Sequence, residues 1–323
     1  MFRTEIEPQD SSIKIDYQSK ILTLGSCFSD SIGQRLTEAK FQSEVNPYGT
    51  IFNPLSIFEL MELSLERSEI LDAAVLKRDG YYFNYKFHSS FRAKTKDTLH
   101  KRMEEALTKV AQQLKEANFI FITLGTAWVY EQNKTHMLVA NCHKTPQKEF
   151  TRRLLSVEEI VPAFFALKEV INQFNPEVQF IFTVSPVRHT RDTLKLNSVS
   201  KSVLRLAAYY MEDMAPDVHY FPAYEIMMDD LRDYRFYEKD LIHPNEQAID
   251  YIWEQFVQTY LDKKDQATLE KWNKLQMALN HKPFNPKSGG HQKFLSKTLD
   301  QLKQLGKELP LDKEIENLNK QLK

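Results

Sequence analysis

Cysteine is scarce in this chain: Cys27 and Cys142 are the only two in 323 residues. That scarcity excludes a disulfide framework and suits a reducing compartment. A charge excess is missing too, since 43 basic residues face 44 acidic ones. Nothing therefore points to nucleic acid or another polyanion as a partner. No apolar run approaches the roughly 20 residues of a membrane span, so no membrane partner is expected. The start, Met1-Phe2-Arg3-Thr4-Glu5-Ile6-Glu7, has no apolar signal-peptide core, and a cytoplasmic location is expected. Tandem repeats and low-complexity tracts are also lacking.

What is present is a rhythm. Apolar runs at 20–24, 119–124, 178–184 and 218–221 read as buried strands. Between and around them, helical patterns cover 28–39, 55–65, 95–117, 157–174, 192–214 and 246–260, with Asn53 as N-cap and Pro54 as first residue of the second helix. This alternation predicts an α/β fold, a parallel sheet with helices on both faces and ligands beyond the strand C-termini. Asp79-Gly80 marks a hairpin near 74–87, and 128–130 with 137–139 marks another. Residues 1–19 read as a loose polar strap. Residues 262–323 carry no strand pattern and break at 283–290 and at Pro310, which gives an expected division into a domain at 1–261 and a helical extension at 262–323. Leu295, Leu299, Leu302 and Leu305 are spaced to pack on the main domain or on a partner, and the oligomeric state is left open.

Two stretches carry chemistry. Gly25-Ser26-Cys27-Phe28 puts a hydroxyl and a thiol where the first strand turns into a helix. Free amides and the helix dipole there favour negative charge, which predicts a lowered pKa for a nucleophile and donors for an oxyanion. Alone, such a turn also serves plain βα packing. The second stretch is Asp240-Leu241-Ile242-His243-Pro244. A carboxylate three residues before a histidine can accept from one ring nitrogen and leave the other as general base.

Together these stretches resemble the GSCFA-domain family, itself similar to a branch of the SGNH (GDSL-like) hydrolases, over roughly residues 15–260. The resemblance implies a three-layer α/β/α sandwich with a flavodoxin-like sheet and serine-triad acyl-ester chemistry. It implies no metal and no organic cofactor. It also implies an oxyanion hole built from the nucleophile's amide, a glycine amide and an asparagine. Aligned without gaps on the superfamily's Gly-Asp-Ser-Leu, the stretch places Cys27 at the nucleophile position; a slip of one residue restores Ser26. Cys27 is favoured, with His243 as base and Asp240 orienting it. Gly49 matches the glycine donor, but Gly125-Thr126-Ala127-Trp128 stands where the superfamily has Gly-x-Asn-Asp. The asparagine is missing, and Thr126 or Asn141 is expected to substitute.

Asn141-Cys142-His143-Lys144 reads as a substrate-facing loop in which His143 supplies a base or cation. Arg188 and His189 follow a strand and are candidates to hold a substrate carboxylate or phosphate; His88 occupies a similar loop. A zinc site from Cys27, Cys142, His143 and His243 lacks the usual ligand spacing. The expected function is ester hydrolysis or acyl transfer on an acylated carbohydrate or another polar small molecule. The competing reading is a ligand-binding protein on a degenerate SGNH scaffold, favoured by the missing asparagine.

Overall fold

A computed structural model describes residues 3–66, 72–286 and 288–322. Met1 and Phe2 of the expected strap, and Lys287 of the first break, lie outside them.

The chain folds around a five-stranded sheet: β1 (Lys20–Gly25), β2 (Gln42–Val45), β5 (Phe119–Leu124), β9 (Gln179–Val184) and β10 (Val218–Tyr220). Their order across the sheet is β10-β9-β5-β1-β2. Pairing is parallel from β1 through β5 and β9 to β10, with Ile21 beside Phe119 and Gly25 beside Thr123. Numbered by chain order within the sheet, this is the flavodoxin-like 2-1-3-4-5 arrangement, which reverses direction between β1 and β5. Such a reversal opens a crevice at the strand C-termini, and the Gly25-Ser26-Cys27 turn stands on it.

Both faces of the sheet are covered, as the unbroken apolar runs require. Leu22, Leu24, Ile120, Ile122, Phe180 and Phe182 belong to one large core, while Ile21, Phe121 and Ile181, of opposite parity, are equally buried. The flanking helices are α1 (Cys27–Glu38), α2 (Pro54–Glu66), α3 (Lys96–Glu116), α4 (Val157–Asn172), α5 (Thr193–Met214) and, beyond the short turn α6 (Ala223–Glu225), α7 (Glu246–Tyr260). Asn53 caps α2 as expected, its Oδ1 accepting from Ser56 N at 2.8 Å. The Asp79-Gly80 hairpin joins β3 (Val75–Arg78) to β4 (Tyr81–Asn84), with both turn residues at positive φ.

Two strands escape a reading by apolar pattern. β2 is Gln-Ser-Glu-Val, an edge strand with no apolar run. β8 (Phe150–Leu154) pairs antiparallel with β6 (Trp128–Gln132), so the second hairpin, closed by β7 (Leu138–Val139), is a three-stranded sheet.

The chain forms two compact units. The first holds the sheet: the residues up to Glu7, Lys20–Gln34 and Ser43–Glu254. The second gathers Pro8–Ser19, Arg35–Gln42 and everything from Gln255 onward. In that second unit α9 (Gly289–Leu305) packs on α8 (Lys263–Leu279) and α10 (Asp312–Asn319), burying Leu295, Leu299, Leu302 and Leu305. Trp272 Nε1 donates to Glu38 O at 2.7 Å, and Tyr17 stacks on Phe41 with centroids 4.4 Å apart.

Candidate active site

Gly25 sets the turn. Its φ of +129° is closed to side chains, and a Cβ there would lie 2.2 Å from Thr123 O. Asn46 locks it: Oδ1 accepts from Gly25 N at 2.8 Å, and Nδ2 donates to Asp30 Oδ1 at 2.6 Å. The chain then places its two candidate nucleophiles very differently. Ser26 is 1% exposed, and among the described residues its Oγ has no hydrogen-bond partner. Cys27, half-buried, opens α1 with the amides of Cys27 and Phe28 turned to its sulfur.

The expectation of a lowered thiol pKa is corrected by the structure. Burial raises the Cys27 pKa, and the Asp30 carboxylate raises it further. Lys201 and the two amides pull the other way without prevailing. The resting group is a thiol, and a base must take its proton.

Lys201 is the group the motifs did not reveal. It sits on α5, 1% exposed, with Nζ donating to Gly125 O at 2.8 Å and Ser185 O at 2.7 Å. These carbonyls follow the ends of β5 and β9. Among the described residues no carboxylate pairs with it. Burial brings its pKa down to about 7, and Cys27 is the one charge partner that raises it.

On the loop before α7, His243 Nδ1–H donates to Asp240 Oδ2 at 2.7 Å. The amides of Ile242 and His243 donate to Asp240 Oδ1 at 2.9 and 3.0 Å. The His243 contact first, then these amides, holds the Asp240 pKa down at about 2. Nδ1 is therefore the protonated nitrogen, and Nε2 is left as the basic one. Arg188 secures the loop: its side chain donates to Leu241 O at 3.2 Å and stacks 4.1 Å above the Tyr237 ring. His189, brought down to about 4 by burial, then by Lys201 and His243, lies in electrostatic range of both. No hydrogen bond joins Cys27 to His243 among the described residues.

Beside this cluster opens a cavity of about 740 Å³, lined by Thr126, Asn141, His143 and His189 among others. Cys27, Ser26, His243, Asp240, Gly49 and Arg188 do not line it. Asn141 Oδ1 accepts from His143 N at 2.9 Å, which leaves Nδ2 to the cavity. His143 is buried and its Nε2–H donates to Asn84 O at 2.8 Å. His143 and Lys144 both take left-handed backbone, φ 46° and 60°, at a cost of roughly 1–3 kcal/mol each. Thr126 is engaged already, paired with Ser200 Oγ at 3.1 Å and accepting from Trp128 N at 3.1 Å. The Gly49 amide is likewise taken by Asn46 O at 2.7 Å. Among the described residues no group of three or more His, Cys, Asp or Glu is arranged to hold a metal, and no helix is long and apolar enough to cross a membrane.

The model of the GSCFA family matches residues 20–256 of this sequence, and that of the C-terminal domain of GSCFA domain proteins matches residues 272–323. The chain belongs to the GSCFA family. No curated protein matches it. Among solved structures it is similar to a carbohydrate esterase family 2 enzyme plus carbohydrate binding domain from Corynascus thermopiles (Myceliophthora fergusii), at 16% identity and a TM-score of 0.26. That match covers 48% of this chain and 38% of the other.

In this GSCFA protein the residues missed by sequence reasoning are Asn46, Asp30 and Lys201. Lys201 lies on a periodic stripe of α5, which the sequence shows without showing that the stripe is buried. Asn197, Ser200, Lys201, Leu204, Ala207, Ala208 and Met211 recur at three and four residues, and that stripe of α5 is buried.

Proposed function

We propose that this GSCFA protein is an SGNH-type acyl-ester hydrolase or acyltransferase that forms a thioester on Cys27, with an acylated carbohydrate or a similar polar small molecule as substrate. The observation that carries this reading is Lys201. A fully buried ammonium held by carbonyls alone is costly. It gains its counter-charge only when Cys27, or an oxyanion on the carbon it attacks, becomes negative.

The chemistry then runs in two halves. His243 Nε2 takes the Cys27 proton as sulfur bonds to the ester carbonyl carbon, and Asp240 steadies the imidazolium. The oxyanion meets the amides at the start of α1 and the field of Lys201. As the tetrahedral intermediate collapses, the C–O bond breaks and the leaving alcohol takes the proton from His243. Water or a second alcohol attacks the thioester in the return half with His243 again as base; the C–S bond then breaks and the imidazolium returns its proton to the Cys27 sulfur.

A ligand-binding protein is the second reading, favoured by the raised thiol pKa and the absent Cys27–His243 hydrogen bond. Hydrolysis of p-nitrophenyl acetate separates the two. Turnover that disappears in Cys27→Ala and His243→Ala supports the enzyme. Turnover equal in all three proteins rejects it.

A further inference from the structure

Among the described residues the wall of the 740 Å³ cavity holds Lys144, Arg191, His143 and His189 and no carboxylate. Among the described residues neither the Lys144 ammonium nor the Arg191 guanidinium has an ion-pair partner. Lys144 is carried on strained backbone, and Arg191 lies near a strained residue. Lys144 is itself left-handed, directly after left-handed His143, and Thr193, two residues after Arg191, has φ 68°, an outlier for a β-branched residue. The first strain is held in place from outside: Arg78 donates to the carbonyls of His143 (3.2 Å) and Lys144. Strain that the surroundings enforce at a cavity rim is the mark of a ligand clamp. His143, 6% exposed, packs into the wall with its Nε2–H held by Asn84 O. Trp128, with the Arg152 guanidinium stacked 4.0 Å from its ring, and Tyr130 also line the cavity and offer ring surface to a sugar.

We infer that this cavity binds an anionic group, a carboxylate or a phosphate, on the sugar that carries the acyl ester, with Lys144 and Arg191 as its counter-charges. The inference rests on the acyl-ester reading for the ester only; the anion site stands on the cavity. Arg191 takes the anion-holding place expected of Arg188, whose guanidinium is engaged with Leu241 O and the Tyr237 ring. A guanidinium offers two parallel donors to either oxyanion, and Lys144 adds a point charge. His189 lines the same cavity and lies in electrostatic range of His243, which links the cavity to the Asp240–His243 loop.

The test is calorimetric binding to full-length Cys27→Ala protein, which cannot turn the ligand over. The probes are O-acetylated trigalacturonate, O-acetylated glucose 6-phosphate and O-acetylated glucose. At least one anionic sugar should bind about tenfold or more tighter than the neutral one, and the preference should shrink in high salt. Which anion binds tells uronate from phosphosugar. The variant that adds Lys144→Gln and Arg191→Gln should lose the preference while still binding the neutral sugar. Equal affinity for all three probes, no binding of either anionic sugar, or an unchanged preference in the double-glutamine variant overturns the inference. The acyl chemistry is read separately, by p-nitrophenyl acetate turnover in the unmodified protein.

Discussion

Asp240 and His243 meet through two separate contacts: Oδ2 takes the ring Nδ1–H at 2.7 Å, and Oδ1 takes the His243 amide at 3.0 Å. The carboxylate fixes the tautomer and the loop together. Asp240→Asn should therefore lower kcat by roughly two to four decades, by allowing the wrong tautomer. His243→Ala should cost roughly three to six decades. Both variants should stay folded at neutral pH, because the pair is exposed. A kcat unaltered in Asp240→Asn would remove Asp240 from the mechanism.

The same carboxylate sets an acid limit. Its pKa is depressed in the folded state, so its contribution to stability is present above the ordinary carboxylate pKa and is lost as pH falls toward about 2. A urea titration of the parent and Asp240→Asn should show the two curves converging across that window. Parallel curves would contradict the assignment.

Lys201 gives a slope of the same sign in a more alkaline window. An ammonium whose folded pKa is brought down to about 7 binds its proton more weakly folded than unfolded. Stability should then rise with pH above about 7, by up to about 1.4 kcal/mol per pH unit, until thiol ionisation opposes it. Lys201→Met should flatten that rise and slow alkylation of Cys27 at pH 7, where part of Lys201 is still ammonium, since the thiolate loses its counter-charge. Lys201→Arg should recover part of the rate. A Lys201→Met protein with the parent's alkylation profile would reduce Lys201 to a packing residue.

Ser26 and Cys27 separate cleanly by substitution. Ser26→Ala removes a buried hydroxyl that has no partner, so stability should change by about 1 kcal/mol or less and turnover should persist. Cys27→Ala should end turnover. Gly25→Ala should destabilise by more than about 3 kcal/mol, because its Cβ would strike Thr123 O. Chemical denaturation of the three variants ranks these effects.

The fold was legible because its buried strands are unbroken apolar runs and its helices carry caps such as Asn53. β2 and β8 were not, since an edge strand and a surface ribbon need no apolar run. The Gly25 turn and the Asp240-x-x-His243 loop were visible because local geometry demands those residue types in those places. Long-range electrostatics was hidden. The thiol pKa depends on Asp30 and on burial, which no helix-terminus rule includes. Lys201 looks like any helical lysine until the face of α5 is known. Arg188 and Arg191 stand three residues apart, and only the fold shows which of them faces the cavity.

The central claim is that Cys27 carries the acyl group. The direct measurement is intact-mass and peptide-mapping analysis after a short reaction with p-nitrophenyl acetate, quenched in acid. One acetyl group on the peptide containing Cys27, absent in Cys27→Ala and retained in Ser26→Ala, is the predicted result. Acetyl on Ser26, or no stoichiometric acylation at this turn while the ester is hydrolysed, would contradict it.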